Sequence, residues 1–204
     1  MNTNDLATQY RLLNSSFKKT MIYHIGIDAG FFTEYTYMIH AMLYCLQHKI
    51  QFKLYSDDAN FGWEKGWEDC FVPFCEQVHE SFHHTYNTHR LPSWKALMKD
   101  KKLPRTKLLK WKLKVTLKNL IGKILAFLVY SKPVLLNFQL KFNPAQHFHI
   151  PELGIDGDYL HAFQKLTEIT WKFNTATAQE CRQLADSLQL PQAYAAVSYT
   201  HLRA

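Results

Sequence analysis

The chain reads as an α/β protein. Three stretches carry that expectation: an apolar run from Met21 to Ile27 with the character of a buried strand, a helical pattern from Thr33 to about His48, and a second short strand from Gln51 to Tyr55. Between the first two, Asp28-Ala-Gly30 breaks the apolar run just before the helix. Strand, helix and parallel strand in sequence imply a right-handed crossover. They also place a functional crevice at the carboxyl ends of the strands.

Composition agrees with a globular chain: of 204 residues, 47% are apolar and 20% charged, enough for one sizeable core. Residues 1–20 are polar, lack the apolar stretch of a secretory signal, and are expected as a tail preceding an α/β unit over 21–196. The four cysteines, Cys45, Cys70, Cys75 and Cys181, form no Cys-x-x-Cys pair. Reduced thiols are the expectation, which favours a cytoplasmic setting.

In the first helix, Tyr35, Ile39, Met42, Leu43 and Leu46 recur at three- and four-residue spacing and mark the core-facing stripe. The turn before it offers Asp28 and Glu34 as candidate catalytic carboxylates, with Gly30 between them at a helix N-terminus whose free N–H groups can meet a ligand. The same residues have a structural reading, in which Asp28 caps the turn and Glu34 sits at the positive helix end. After the second strand, Ser56 to Asp69 is dense in turn residues and aromatics. Gly62 and Gly66 permit sharp bends there. Asp58, Asn60 and Trp63 are candidate substrate-binding residues in this loop, with Tyr35 beside them; Trp63 and Trp67 can stack on a sugar ring or fill a satellite core.

His79-Glu80-Ser81-Phe82-His83 is formally an H-E-x-x-H, the pattern that on a helix presents two imidazoles to zinc with the Glu as base. No third ligand stands at a recognised spacing, and a zinc peptidase is the alternative enzyme reading. His147 and His149 would share one side of a strand, without a partner fixed by sequence.

Charge is concentrated in one place. Lys95 to Lys123 holds eleven Lys or Arg against Asp100 alone, which leaves the rest of the +7 chain three units negative. Within this basic insertion, 95–130, the stretch Thr106 to Tyr130 is helical in pattern, with Leu109, Leu113, Leu117, Leu120, Ile124 and Leu128 on one stripe and Lys107, Lys110, Lys114 and Lys118 beside it. Its most apolar part, Leu120 to Tyr130, falls far short of the ~20 residues that span a bilayer. Two readings of the helix stand: an ordinary amphipathic helix with a solvated lysine face, or an interfacial helix on an anionic membrane. The block as a whole points to phosphate-bearing partners, and a non-enzymatic module that binds anionic membrane or nucleic acid through Lys95 to Lys123 is the alternative function outside the enzyme classes. Pro104 and Pro133 bracket it.

The remaining elements are a helix from Asp158 to Phe173, a break at Asn174-Thr-Ala, a helix from Thr177 to Leu188 with a capping box in Thr177 and Glu180, and a strand beginning near Ala193. Residues 197–204, Val-Ser-Tyr-Thr-His-Leu-Arg-Ala, match the translation of a transposase-end sequencing adapter in all eight positions. They are expected to be non-native, with natural coding sequence continuing past Ala196.

Three segments together resemble the N-terminal half of a bacterial fucosyltransferase-like glycosyltransferase, of the α1,6-fucosyltransferase and nodulation-fucosyltransferase type. They are Gly26-Ile-Asp-Ala-Gly-Phe-Phe-Thr-Glu-Tyr35, Tyr55-Ser-Asp-Asp-Ala-Asn-Phe-Gly62, and Trp171-Lys-Phe-Asn174 leading to Leu188-Gln-Leu-Pro-Gln-Ala-Tyr194. The glycine-asparagine turn of many such enzymes is here Gly-Ile-Asp-Ala-Gly. The resemblance implies a Rossmann-like acceptor-side domain of a two-domain, GT-B-like enzyme. The GDP-sugar donor, a GDP-fucose, would bind mainly to a C-terminal domain beyond this chain, through a His-x-Arg strand. It further implies transfer to a glycan or lipid-linked acceptor without a metal cofactor. For such an enzyme the basic helix suits an acceptor that bears phosphate or sits in a membrane, with peripheral contact to anionic membrane through Lys107, Lys110, Lys114 and Lys118, and nucleic acid is not an expected partner.

Overall fold

The computed structural model describes residues 3–26, 30–91, 104–131, 134–136, 143 and 145–189. Helix α1 (Thr3–Ser15) is followed by strand β1 (Lys19–His24), helix α2 (Phe31–Gln47) and strand β2 (Ile50–Tyr55). Two short helices, α3 (Trp67–Cys70) and α4 (Ser81–Tyr86), precede the long helix α5 (Arg105–Tyr130). Strand β3 (Val134–Leu136), the hairpin strands β4 (Phe148–Ile150) and β5 (Ile155–Gly157), and helices α6 (Tyr159–Thr170) and α7 (Thr175–Ser187) complete the order.

The expected α/β class holds. β1 pairs in parallel with β2 on one side and with β3 on the other, giving a three-stranded sheet in the order β2-β1-β3, while β4 and β5 form a separate antiparallel pair. β1 is buried from its second residue onward because the sheet is covered on both faces. Met21, Tyr23, Phe52 and Leu54 enter the main core with Met38, Ile39 and Met42 of α2 and Leu166 of α6. Ile22 and Tyr55 enter a smaller core on the other face, with Val78, Ala126 of α5 and Val134. The five α2 positions expected to face the core are all buried.

The N-terminal segment departs from expectation. Instead of a polar tail it forms α1, whose Leu6, Ala7 and Tyr10 join the main core. The reason lies at the sheet edge. Among the described residues β2 pairs with one strand, and on its outer side a bridge to Gln77 engages Leu54 alone, so the outward N–H and C=O of Phe52 need other partners. Asn14 supplies both: its Nδ2 donates to the Phe52 carbonyl at 2.9 Å and its Oδ1 accepts the Phe52 N–H at 2.7 Å. Asn14→Ala should therefore cost about 2 kcal/mol, because it strands two buried backbone groups. Chemical denaturation checks this, and a loss within error of zero would show that water replaces the side chain.

Two further departures concern helix ends and faces. Asn174, rather than Thr177, caps α7, accepting the Thr177 N–H at 2.9 Å. More consequentially, α5 docks on the sheet through Gly122, Ala126 and Tyr130, and its leucine stripe faces away from the protein. Cys45 and Cys75 are buried, and all four cysteines are free thiols, Cys181 being exposed. No helix among the described residues is long and apolar enough to cross a membrane. The strand expected near Ala193, residues 197–204, and the basic stretch before Pro104 lie outside the described residues.

Candidate functional site

The carboxyl ends of β1 and β2 gather most of the buried polar side chains: His24, Glu34, Ser56, His83 and Asn87. The ladder extends one residue beyond β1, with the Ile25 N–H donating to Tyr55 O at 2.9 Å. Glu34, in the first turn of α2, then reaches back so that its Oε1 accepts the Gly26 N–H at 2.9 Å. With its side chain buried and bonded to the turn, Glu34 is placed to brace the backbone between β1 and α2. Gly30 is the N-cap of α2, and Asp28 lies outside the described residues.

From the β2 side, Asp58 occupies the same edge. Its side chain is only 3% exposed, and three groups converge on it. His84 Nδ1 lies 2.6 Å and Arg90 Nη1 3.2 Å from Oδ1, and Asn87 Nδ2 donates to Oδ2 at 2.8 Å. Asn87 also donates to Ile25 O at 3.2 Å, which ties Asp58 to the end of β1. An ionised carboxylate only accepts, so the His84 proton shared with it sits on Nδ1. Arg90 Nη1 lies against the same ring, 3.1 Å from Nδ1 and 3.3 Å from Nε2, and as a guanidinium it can only donate there. The imidazole is 60% exposed. The result is a buried carboxylate orienting a solvent-facing histidine.

The H-E-x-x-H residues take separate roles. α4 begins at Ser81, so His79 precedes the helix and the two imidazoles do not share a helical face. His79 lies between two carboxylates, Asp57 Oδ1 at 2.8 Å and Glu68 Oε2 at 2.9 Å. Burial alone would lower its pKa, but these two acceptors outweigh it and raise the pKa above the ordinary value. His83 is fully buried and belongs to a chain of hydrogen bonds whose direction is set by its acidic end. Tyr130 donates to Glu80 Oε2 at 2.7 Å, so its oxygen accepts from His83 Nε2 at 2.8 Å, and His83 Nδ1 accepts from His24 Nε2 at 3.0 Å. Burial and the adjacent Glu80 carboxylate both push the Tyr130 hydroxyl well above its ordinary range. Among the described residues, no group of three His, Cys, Asp or Glu side chains is placed to hold a metal ion. The hairpin histidines do find a partner: His147 and His149 both approach Asp156 Oδ1, at 2.9 and 3.2 Å, across the β4–β5 pair.

The aromatic candidates divide by burial. Tyr35 is an interior residue whose hydroxyl is 2.7 Å from Thr170 Oγ1 and whose ring packs against Trp67, Phe163 and Trp171; it does not face a substrate. Trp67 is fully buried, while Trp63, four residues earlier, is 70% exposed. Asn60 is exposed on the same loop. Trp63 is presented by a loop folded around Asp69, whose Oδ2 accepts the backbone N–H groups of Trp63, Glu64 and Lys65 at 2.8, 2.9 and 3.0 Å. A second aromatic surface pairs Phe32, at the start of α2, with Trp171 in parallel stacking at 5.9 Å.

No family model matches the chain. Nor does any curated protein or solved structure match it significantly. Of the expected residues, Glu34 and Asp58 come together at one sheet edge, Trp63 and Asn60 lie exposed on the loop after β2, and Tyr35 is buried apart from them. His84, Asn87 and Arg90 join the site without having stood out in the sequence. The one available signal was the density of imidazoles from His79 to His84, which reads first as an incomplete zinc motif.

Proposed function

We propose that this chain forms the Rossmann-like acceptor side of a GDP-sugar-dependent, GT-B-like glycosyltransferase, with fucose the sugar that the resemblance implies. The observation that carries the reading is the Asp58–His84 pair at the carboxyl edge of the parallel sheet, where open α/β sheets bind their ligands. Asp58 orients His84 through Nδ1, and Nε2 takes the proton of an acceptor hydroxyl once a phosphate-bearing donor has drawn Arg90 away from it. The hydroxyl oxygen then bonds to the anomeric carbon of the donor as the bond from that carbon to the nucleotide phosphate breaks, and the electron pair leaves with the phosphate. Arg90, beside His84, is the cation that a phosphate-bearing donor would draw toward itself. Exposed Trp63 and the Phe32–Trp171 pair offer apolar faces to sugar rings. Glu34 serves as a brace rather than a base, and Asp28 remains the competing base on the adjoining turn.

Sugar transfer by the full-length protein tests this reading. With GDP-fucose and other GDP-sugars as donors, His84→Ala should lower kcat by roughly 10²-fold, the usual contribution of a general base, with little change in melting temperature. Asp58→Asn should lower kcat similarly and also lower the melting temperature, because it breaks a buried charge bound by His84, Arg90 and Asn87. Turnover that survives His84→Ala but is lost in Asp28→Ala would move the base to Asp28. Absence of both binding and transfer across the GDP-sugars would remove the glycosyltransferase reading altogether.

A further inference from the structure

A 26-residue helix that turns its apolar stripe to solvent needs an explanation, and α5 does so along its length. At 100° per residue, Gly122, Ala126 and Tyr130 define the docked side, while Leu109, Leu113, Leu117, Leu120, Ile124 and Phe127 fall on the opposite side. All six are at least half exposed, Leu109 and Leu113 reaching 69% and 68%. Lys107, Lys110 and Lys114 border the stripe on one flank, and Lys112 and Lys123 on the other. α5 contains no Asp or Glu. Lys118 is the exception among its lysines, since it turns inward and donates to Thr85 O at 2.6 Å.

We propose that α5 lies flat on an anionic lipid bilayer, with the leucine stripe in the acyl boundary and the flanking lysines among the headgroups. The helix is ~39 Å long, and an apolar face bordered by cations is the pattern of an interfacial helix rather than a spanning one. Charge complementarity selects the occupant. A second copy of α5 packed on the same stripe would bring lysine flank against lysine flank in either orientation, with no acidic residue on the helix to neutralise them. Anionic headgroups meet both flanks with opposite charge, and the acyl region takes the stripe. This inference is independent of the catalytic reading, because it uses no residue of the sheet edge.

Co-sedimentation of the full chain with phosphatidylcholine vesicles, with and without phosphatidylglycerol, tests the proposal. Binding should be at least ~10-fold tighter to the anionic vesicles and weaken with salt. The pair Leu113→Glu with Leu117→Glu, and separately Lys110→Gln with Lys114→Gln, should each reduce it by ~10-fold or more at unchanged melting temperature. Three results would overturn it. Failure to partition onto anionic vesicles is the first. A dimer dissolved by the leucine pair would make a second copy the occupant, and a leucine pair that lowers the melting temperature would mean that another part of the chain covers the stripe. The lysine pair keeps the test decisive if the leucine variant does not fold.

Discussion

Gly66→Ala should prevent stable folding, at a cost of roughly 4 kcal/mol or more, in the range where a named steric mechanism is required. Gly66 holds φ +61° and ψ −106°, and a Cβ there would lie 1.8 Å from Ser56 O and 2.3 Å from Ser56 C. Both are backbone atoms at the end of β2, so relief requires moving the strand end itself. Ser56 is also fixed from the other direction, because its Oγ accepts the Trp67 N–H at 2.9 Å. Trp67 in turn stacks on Phe71 at a centroid distance of 4.3 Å and has no exposed surface. The clash therefore propagates into the aromatic part of the main core. Gly154→Ala is the control: its φ is also positive, at +62°, but nothing lies within 4 Å of an added Cβ. That substitution should cost only about 1 kcal/mol of backbone strain. Urea unfolding of the two variants separates the cases, and equal losses would show that the close approach at Gly66 relaxes without consequence.

What the sequence made legible was whatever depends on local period. β1, α2 and β2 stand within a few residues of their expected places because apolar runs and three- and four-residue spacing are local signals. α1 was hidden because its buried positions, Leu6, Ala7, Tyr10 and Asn14, are few among polar neighbours, and the Asn14 contribution depends on a strand edge 38 residues away. On α5 the period was visible, but periodicity does not say which face docks: small residues, Gly122 and Ala126, approach the sheet, and the leucines do not. The site shows the same limit. Asp58 was marked by its turn, yet its partners His84, Asn87 and Arg90 come from a segment whose placement depends on tertiary packing. Trp63 and Trp67, alike in composition and context, end on opposite sides of the surface.

Acid should destabilise the protein through His83. Burial lowers the pKa of this imidazole from the ordinary 6.5 to about 4, against the opposing pull of the Glu80 carboxylate 3.6 Å from Nε2. The geometry accounts for the direction: Nδ1 accepts from His24 and Nε2 donates to Tyr130, so the neutral ring satisfies every neighbour, and an added proton would meet the His24 N–H head-on. Tyr55 and Phe82 complete the enclosure with aromatic faces that solvate a cation poorly compared with water. Above pH 6.5 both folded and unfolded chains carry a neutral His83, and the group contributes no pH dependence. As pH falls from about 6.5 toward 4, the unfolded chain takes up a proton that the folded chain refuses, so folding stability declines. The loss is complete near pH 4 and amounts to about 3 kcal/mol at 1.36 kcal/mol per pKa unit. The chain has eleven histidines, so the measurement must isolate this one. His83→Gln keeps a polar side chain without a titratable proton. Wild-type stability, measured relative to that variant by chemical denaturation, should fall by about 3 kcal/mol between pH 7 and pH 4. A difference that stays constant over that range would show that His83 accepts its proton in the folded state, through a rearranged link to His24 or Glu80.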